Sequence, residues 1–153
     1  MIAMYMGEYS HTIDTKGRVI VPTKLREALG EGFVVTTGLE GCLYVYGKDE
    51  WEKLVNEIRE MDVEPEERTA ETARKKRIFT RLFFSGADTP EPDKQGRILI
   101  PSKLREHAAL KKDILFIGAL NHVEIWDKDR WDAMSATDID ELVTDLGGIG
   151  FML

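Results

Sequence analysis

The sequence predicts an α+β, β-rich fold made of two copies of one small module, and three observations carry that prediction. The first is an internal repeat. Residues 14–28 read DTKGRVIVPTKLREA and residues 93–107 read DKQGRILIPSKLREH, identical at eight of 15 positions, with Val/Ile, Ile/Leu, Val/Ile and Thr/Ser exchanges at four more. Unrelated segments of average composition share about one position in such a stretch. The second is a short β-branched run in each copy, opened by a glycine turn and closed by a proline. The third is helical spacing at Trp51, Leu54, Val55, Ile58 and Met61. The correspondence continues, with one inserted residue, from 38–51 (GLEGCLYVYGKDEW) to 118–131 (GALNHVEIWDKDRW), so each module is roughly 45 residues long.

Taken in order, Arg18-Val19-Ile20-Val21 and Arg97-Ile98-Leu99-Ile100 read as strands, ended by Pro22 and Pro101, which lack an amide donor and favour the first turn of a helix. Helices are expected over 23–29, with Gly30 as its stop, and over 102–110. A second strand follows in each copy (33–37 and 114–117) and then a third (42–46 and 123–126). Asp49 and Asp127 stand where a helix N-cap is expected. Strand, helix, two strands and a helix make a module too small to bury a sheet face alone, and two facing copies solve that within one chain. Between the copies, residues 65–82 (PEERTAETARKKRIFTRL) read as a linker helix, acidic first and basic later, which complements the helix dipole. The boundaries that follow are 7–53 for the first repeat, 54–85 for connecting helices, 86–132 for the second repeat and 133–153 for a C-terminal helix and tail. The glycine-broken apolar stretch 147–153 (GGIGFML) either packs somewhere or forms a flexible tail.

The chain has 153 residues, 42% hydrophobic, and a formal net charge of −7. No apolar run approaches the ~18 residues that suggest a membrane span, and the opening MIAMYMGEYS lacks the basic start and apolar stretch of a signal peptide. The lone Cys42 excludes an intrachain disulfide and a multi-cysteine zinc site, so a soluble cytoplasmic protein without cofactor or metal is expected. Catalysis finds no support. His11, His107 and His122 do not recur between copies, no phosphate-binding or hydrolase motif is present, and Cys42 within a strand reads as a small buried hydrophobe. Asp127, Asp129 and Asp132 lack the glycine and terminal glutamate of a calcium loop.

What recurs is a D-x-x-x-R turn: Asp14-Thr15-Lys16-Gly17-Arg18 and Asp93-Lys94-Gln95-Gly96-Arg97. Gly17 and Gly96 permit positive φ. Asp14 and Asp93 are placed to accept turn amides and to hold their arginines. Two readings stay open: an Asp–Arg pair that pins a turn, or a guanidinium presented to phosphate or to guanine O6 and N7. The acidic whole argues against nonspecific coating of nucleic acid, but residues 14–26 and 93–105 each carry +3, and 74–81 hold five basic residues and no acid. By contrast, 48–67 carry −6 and 127–145 carry −5.

The two copies of D-x-x-x-R, followed by V-I-V-P or I-L-I-P and then K-L-R-E, resemble the MraZ family of tandem SpoVT/AbrB-type swapped-hairpin modules. The segments GEYSHTIDTKGRVIVP and RLFFSGADTPEPDKQGRILIP carry the likeness across most of the chain. The resemblance implies two modules interleaved into a pseudo-symmetric β-barrel with flanking helices, and a ring-like homo-oligomer. It further implies a nucleoid-associated transcriptional regulator that binds double-stranded DNA repeats upstream of its own operon, in the division and cell-wall gene cluster. Arg18 and Arg97 then contact the DNA, with Thr15, Lys16 and Lys94 as further contacts. The alternative is an antitoxin-like protein-interaction module, which uses similar barrels.

Overall fold

A computed structural model describes residues 4–61 and 69–150. Strand β1 (Glu8–Thr12) is followed by β2 (Arg18–Ile20), helix α1 (Thr23–Leu29), β3 (Val34–Thr37), β4 (Leu43–Tyr46), α2 (Lys48–Glu60) and α3 (Ala70–Ser85). The second half adds β5 (Arg97–Leu99), α4 (Ser102–His107), β6 (Asp113–Gly118), β7 (Val123–Asp127), α5 (Lys128–Met134) and α6 (Ile139–Gly147). The fold is mixed α+β. Five strands form one antiparallel sheet in the order β1-β6-β7-β4-β3, and β2 pairs with β5 in a separate two-stranded ribbon.

Both sheets join the repeats. In the larger one, hairpin β3–β4 of the first copy meets hairpin β6–β7 of the second through the β4–β7 pairing, Leu43 facing Ile125. In the ribbon, Val19 faces Ile98. These two point inward and are buried, as are Val21 and Ile100 just beyond them. Leu25 and Leu29 of α1, Leu104 of α4 and the sheet residues Val35, Val45, Phe116 and Ile125 complete one shared core. A smaller apolar cluster, Cys42, Leu115, Ile117 and Trp126, packs with Trp131 of α5. There the Cys42 Sγ donates to Leu39 O at 3.3 Å, and burial pushes the thiol up to about 12.

Several local expectations shift. β1 was not among the expected strands, because Glu8-Tyr9-Ser10-His11-Thr12 has no continuous apolar run; it is an edge strand whose partner β6 supplies the hydrophobic face. Helix α4 stops at His107 rather than residue 110, as Ala109 adopts a positive φ of 49°. Asp49 is not an N-cap: the cap of α2 is Gly47, two residues earlier, and Asp49 lies in the first turn. Asp127 does occupy the cap position of α5, but its side chain makes no capping bond. Its buried carboxylate instead accepts from Lys111 N at 3.3 Å. The linker helix runs Ala70–Ser85, capped by Thr69, whose Oγ1 accepts from Thr72 N at 3.0 Å; residues 65–68 of the expected helix lie outside the described residues. Buried Thr36 donates to Phe83 O at 2.9 Å and ties α3 to β3. Gly147 ends α6, residues 148–150 follow it as an exposed turn, and 151–153 lie outside the described residues. Among the described residues no helix is long and apolar enough to cross a membrane.

Candidate nucleic-acid interface

The two D-x-x-x-R segments fold into the same hydrogen-bonded turn. Asp14 Oδ1 accepts the amides of Lys16 and Arg18, both at 2.9 Å, and its Oδ2 accepts Arg18 Nε at 3.0 Å. Asp93 repeats this with Gln95 N at 2.8 Å, Arg97 N at 2.9 Å and Arg97 Nε at 2.8 Å. The turn closes through Gly17 N to Asp14 O and Gly96 N to Asp93 O. Gly17 and Gly96 have φ of 90° and 79°. The amide of Arg18 beside Asp14, then its guanidinium, holds that carboxyl below its ordinary value; Arg97 does the same to Asp93. Both carboxyls therefore remain charged throughout the physiological range.

The pairing with aspartate engages only Nε of each arginine. A guanidinium has five N–H donors, and the Nη groups of Arg18 and Arg97 have no hydrogen-bond partner among the described residues. Turn-pinning and presentation of the guanidinium are thus compatible: the carboxylate fixes one edge and leaves the other open to solvent. The side chains are 37% and 34% exposed.

The ribbon register places these arginines together. Arg18 faces Leu99 and Ile20 faces Arg97, so all four lie on one face while Val19 and Ile98 lie on the other. Two residues of offset and one strand spacing put the arginine Cα atoms ~8 Å apart. Ile20 and Leu99, 46% and 54% exposed, complete the outer face. Thr15, Lys16 and Lys94 are exposed on the adjoining turns.

Sequence reasoning singled out neither Ile20 and Leu99 nor a second pair, Arg26 and Arg105. A Cβ on Gly17 would lie 2.7 Å from Arg105 Nε and 2.9 Å from Ile100 O, and a Cβ on Gly96 would run into Arg26 Nη1. Each turn therefore packs beneath the arginine of the other copy's K-L-R-E helix. Arg105 Nε donates to Ile100 O at 2.9 Å, and Ile100 N donates to Gly17 O at 2.8 Å. Neither Arg26 nor Arg105 has a carboxylate in ion-pair range among the described residues. The available signal was the identity of the glycine and of the helix arginine in both copies.

The three histidines make their contacts away from these turns. His107 Nε2 meets Gly38 O at 3.0 Å, His11 packs edge-on to Phe116, and His122 Nε2 meets Glu124 Oε2 at 2.9 Å. No cluster of three or more potential metal ligands occurs among the described residues.

A family model described as "MraZ protein, putative antitoxin-like" matches residues 4–73 and 83–145. A protein of Lachnoclostridium phytofermentans named "Transcriptional regulator MraZ" is 48% identical over 147 residues, covering 96% of this chain and 98% of that protein. Proteins of the same name from Heliobacterium modesticaldum (53% over 128 residues, 84% of each chain) and Caldanaerobacter subterraneus (51% over 137 residues, 89% of this chain and 90% of that one) are similar to it.

Proposed function

The chain belongs to the MraZ family, and from that premise we propose that it is a sequence-specific DNA-binding transcriptional regulator without chemistry of its own. The observation that carries the reading is the shared outer face of the β2–β5 ribbon, with Arg18 and Arg97 each held at Nε and open at Nη. A two-stranded ribbon fits the major groove of B-DNA, where a guanidinium bonds bidentately to guanine O6 and N7 and an aliphatic side chain meets a thymine methyl. Arg18 and Arg97 read bases, Ile20 and Leu99 pack on the groove floor, and Thr15, Lys16 and Lys94 contact phosphates, which position without specifying.

The finer parts of the reading follow the family. The repeats at 7–53 and 86–132 act as swapped-hairpin modules interleaved into a barrel. The DNA is a set of direct repeats upstream of the chain's own operon, and the protein works in the cytoplasm at the nucleoid. A net charge of −7 opposes a single weak encounter with DNA. A homo-oligomer that engages several repeats at once turns each further contact into an intramolecular one, worth ~10²–10⁴-fold in avidity.

Electrophoretic retardation of the chain's own upstream DNA, against a scrambled duplex across a salt series, tests the reading. Retention of the upstream DNA that falls steeply with salt is expected. Equal weak binding to both duplexes, together with recovery of a stoichiometric complex with a second protein, overturns it in favour of the antitoxin-like alternative, which the wording of the family description also names.

A further inference from the structure

Helix α6 is an amphipathic element that buries none of its apolar residues among the described residues. Ile139, Leu142 and Leu146 recur at helical spacing and are 69%, 45% and 41% exposed, with Ile149 exposed just past the C-cap; the helix buries no residue. A nine-residue helix is marginal in water unless its apolar side is covered. Its remaining charge is of one sign: Asp138, Asp140, Glu141 and Asp145, with no lysine or arginine from 138 to 150.

Two grooves border α2, and charge separates them. The larger, about 860 Å³, runs between α1 and α2 and is lined by Glu27, Glu31, Asp49, Glu50 and Glu57 against two lysines; it repels an acidic helix. The other, about 440 Å³, lies between α2 and α3. Its floor is Trp51, Val55, Ile58 and Phe84, and the charged residues lining it, Arg59 and Lys76, are both basic. Helix α3 adds exposed Lys75, Arg77 and Arg81, none in an ion pair among the described residues.

We propose that α6 of one copy of this chain docks its Ile139–Leu142–Leu146 stripe into the α2–α3 groove of a second copy. Its carboxylates then meet Lys75, Lys76, Arg77 and Arg81. The inference rests on the self-assembly proposed above and names its contact. Donor and acceptor surfaces differ, so the contact is head-to-tail and propagates until rotation closes a ring.

Light scattering and cysteine cross-linking test it on the full chain. Leu142→Asp with Leu146→Asp is expected to reduce the mass to that of one 17.4 kDa chain with circular dichroism unchanged, because neither side chain is buried in the chain. A mixture of separately tagged Leu146→Cys and Thr80→Cys chains is expected to yield an oxidised heterodimer that neither variant forms alone. Buried Cys42, with its raised thiol pKa, stays silent in that assay. An undiminished assembly in the double variant, or no heterodimer from the mixture, overturns this contact while sparing self-assembly. A wild-type chain that is itself monomeric overturns both and leaves the DNA reading standing on its own retardation assay.

Discussion

The segments that lead into the two turns have the same length and opposite fates. Residues 7–14 read GEYSHTID and residues 86–93 read GADTPEPD. The first makes strand β1, five residues paired along β6. The second makes a single bridge, Val35 with Asp88, through Val35 N to Asp88 O at 2.8 Å and Asp88 N to Val35 O at 2.9 Å. In an antiparallel ladder the next bonded position lies two residues on. That residue is Pro90, which has no N–H to give. Two prolines thus cap one edge of the five-stranded sheet while leaving the turn that follows intact. The turns are under tighter constraint than the strands feeding them.

The largest expected effect tests whether the two turns are functional equals. Arg18→Ala and Arg97→Ala are each expected to weaken binding to upstream DNA by ~1–3 kcal/mol, about 5- to 150-fold, and to relax specificity at one base. Losses of the same size, with circular dichroism unchanged, make the turns equivalent readers. No change in retardation for either variant leaves the turn with its pinning role alone.

A smaller effect separates the turns by what lies over each glycine. Both positive φ values strain an L residue by ~1–3 kcal/mol. Beyond that, a Cβ at Gly17 meets the fixed carbonyl of Ile100 as well as Arg105, whereas at Gly96 it meets only the movable end of Arg26. Gly17→Ala should therefore lower the urea midpoint more than Gly96→Ala. The reverse order would place the rigid contact at the wrong turn.

The edge strands give a comparable test of the proline argument. The bonds Gly118 N to Gly7 O and Ile13 N to Lys112 O set the alternation along β1, so His11 donates into the ladder. His11→Pro is expected to cost ~1–3 kcal/mol through an unmet carbonyl on β6. Pro90→Val is expected to add one protected amide in hydrogen exchange and to stabilise by ~1 kcal/mol at most. An unprotected amide at position 90 in that variant would show that more than proline ends the strand.

The smallest effect is electrostatic. Asp14 and Asp93 are held below the ordinary carboxyl value of 3.8 in the folded chain, first by the Arg18 and Arg97 amides. A lowered folded value contributes stability above the unfolded pKa, and that contribution is lost as pH falls through the folded one. The wild-type melting temperature should exceed that of Asp14→Asn at neutral pH, and the two should converge in acid below pH ~4. A gap that persists there would assign the difference to shape rather than charge.

Much of this architecture was legible locally. Arg18-Val19-Ile20 and Arg97-Ile98-Leu99 announce strands through β-branching and the proline that follows, and α1 falls at 23–29 as its leucine spacing requires. β1 was not legible, because its hydrophobic partner lies a hundred residues away on β6. The D-x-x-x-R turns were readable as turns. Their placement side by side was not, since it depends on the Val19–Ile98 pairing between copies. The packing of Arg105 on Gly17 and of Arg26 on Gly96 likewise spans the two copies, and no local window contains both members of either pair.

The ribbon also sets an order of events during synthesis. Its two strands lie on either side of residues 21–96, and closing so long a loop must precede any pairing. A nascent chain that has released only its first copy holds Arg18 and its turn, but Val19 has no Ile98 to face and the outer surface has half its residues. Domains emerge N-terminal first at ~5–20 residues per second, so for several seconds each new molecule is a competent turn without a reading surface. A fragment arrested in that window lacks β5 and Arg97, and on the proposed reading it leaves the operator free.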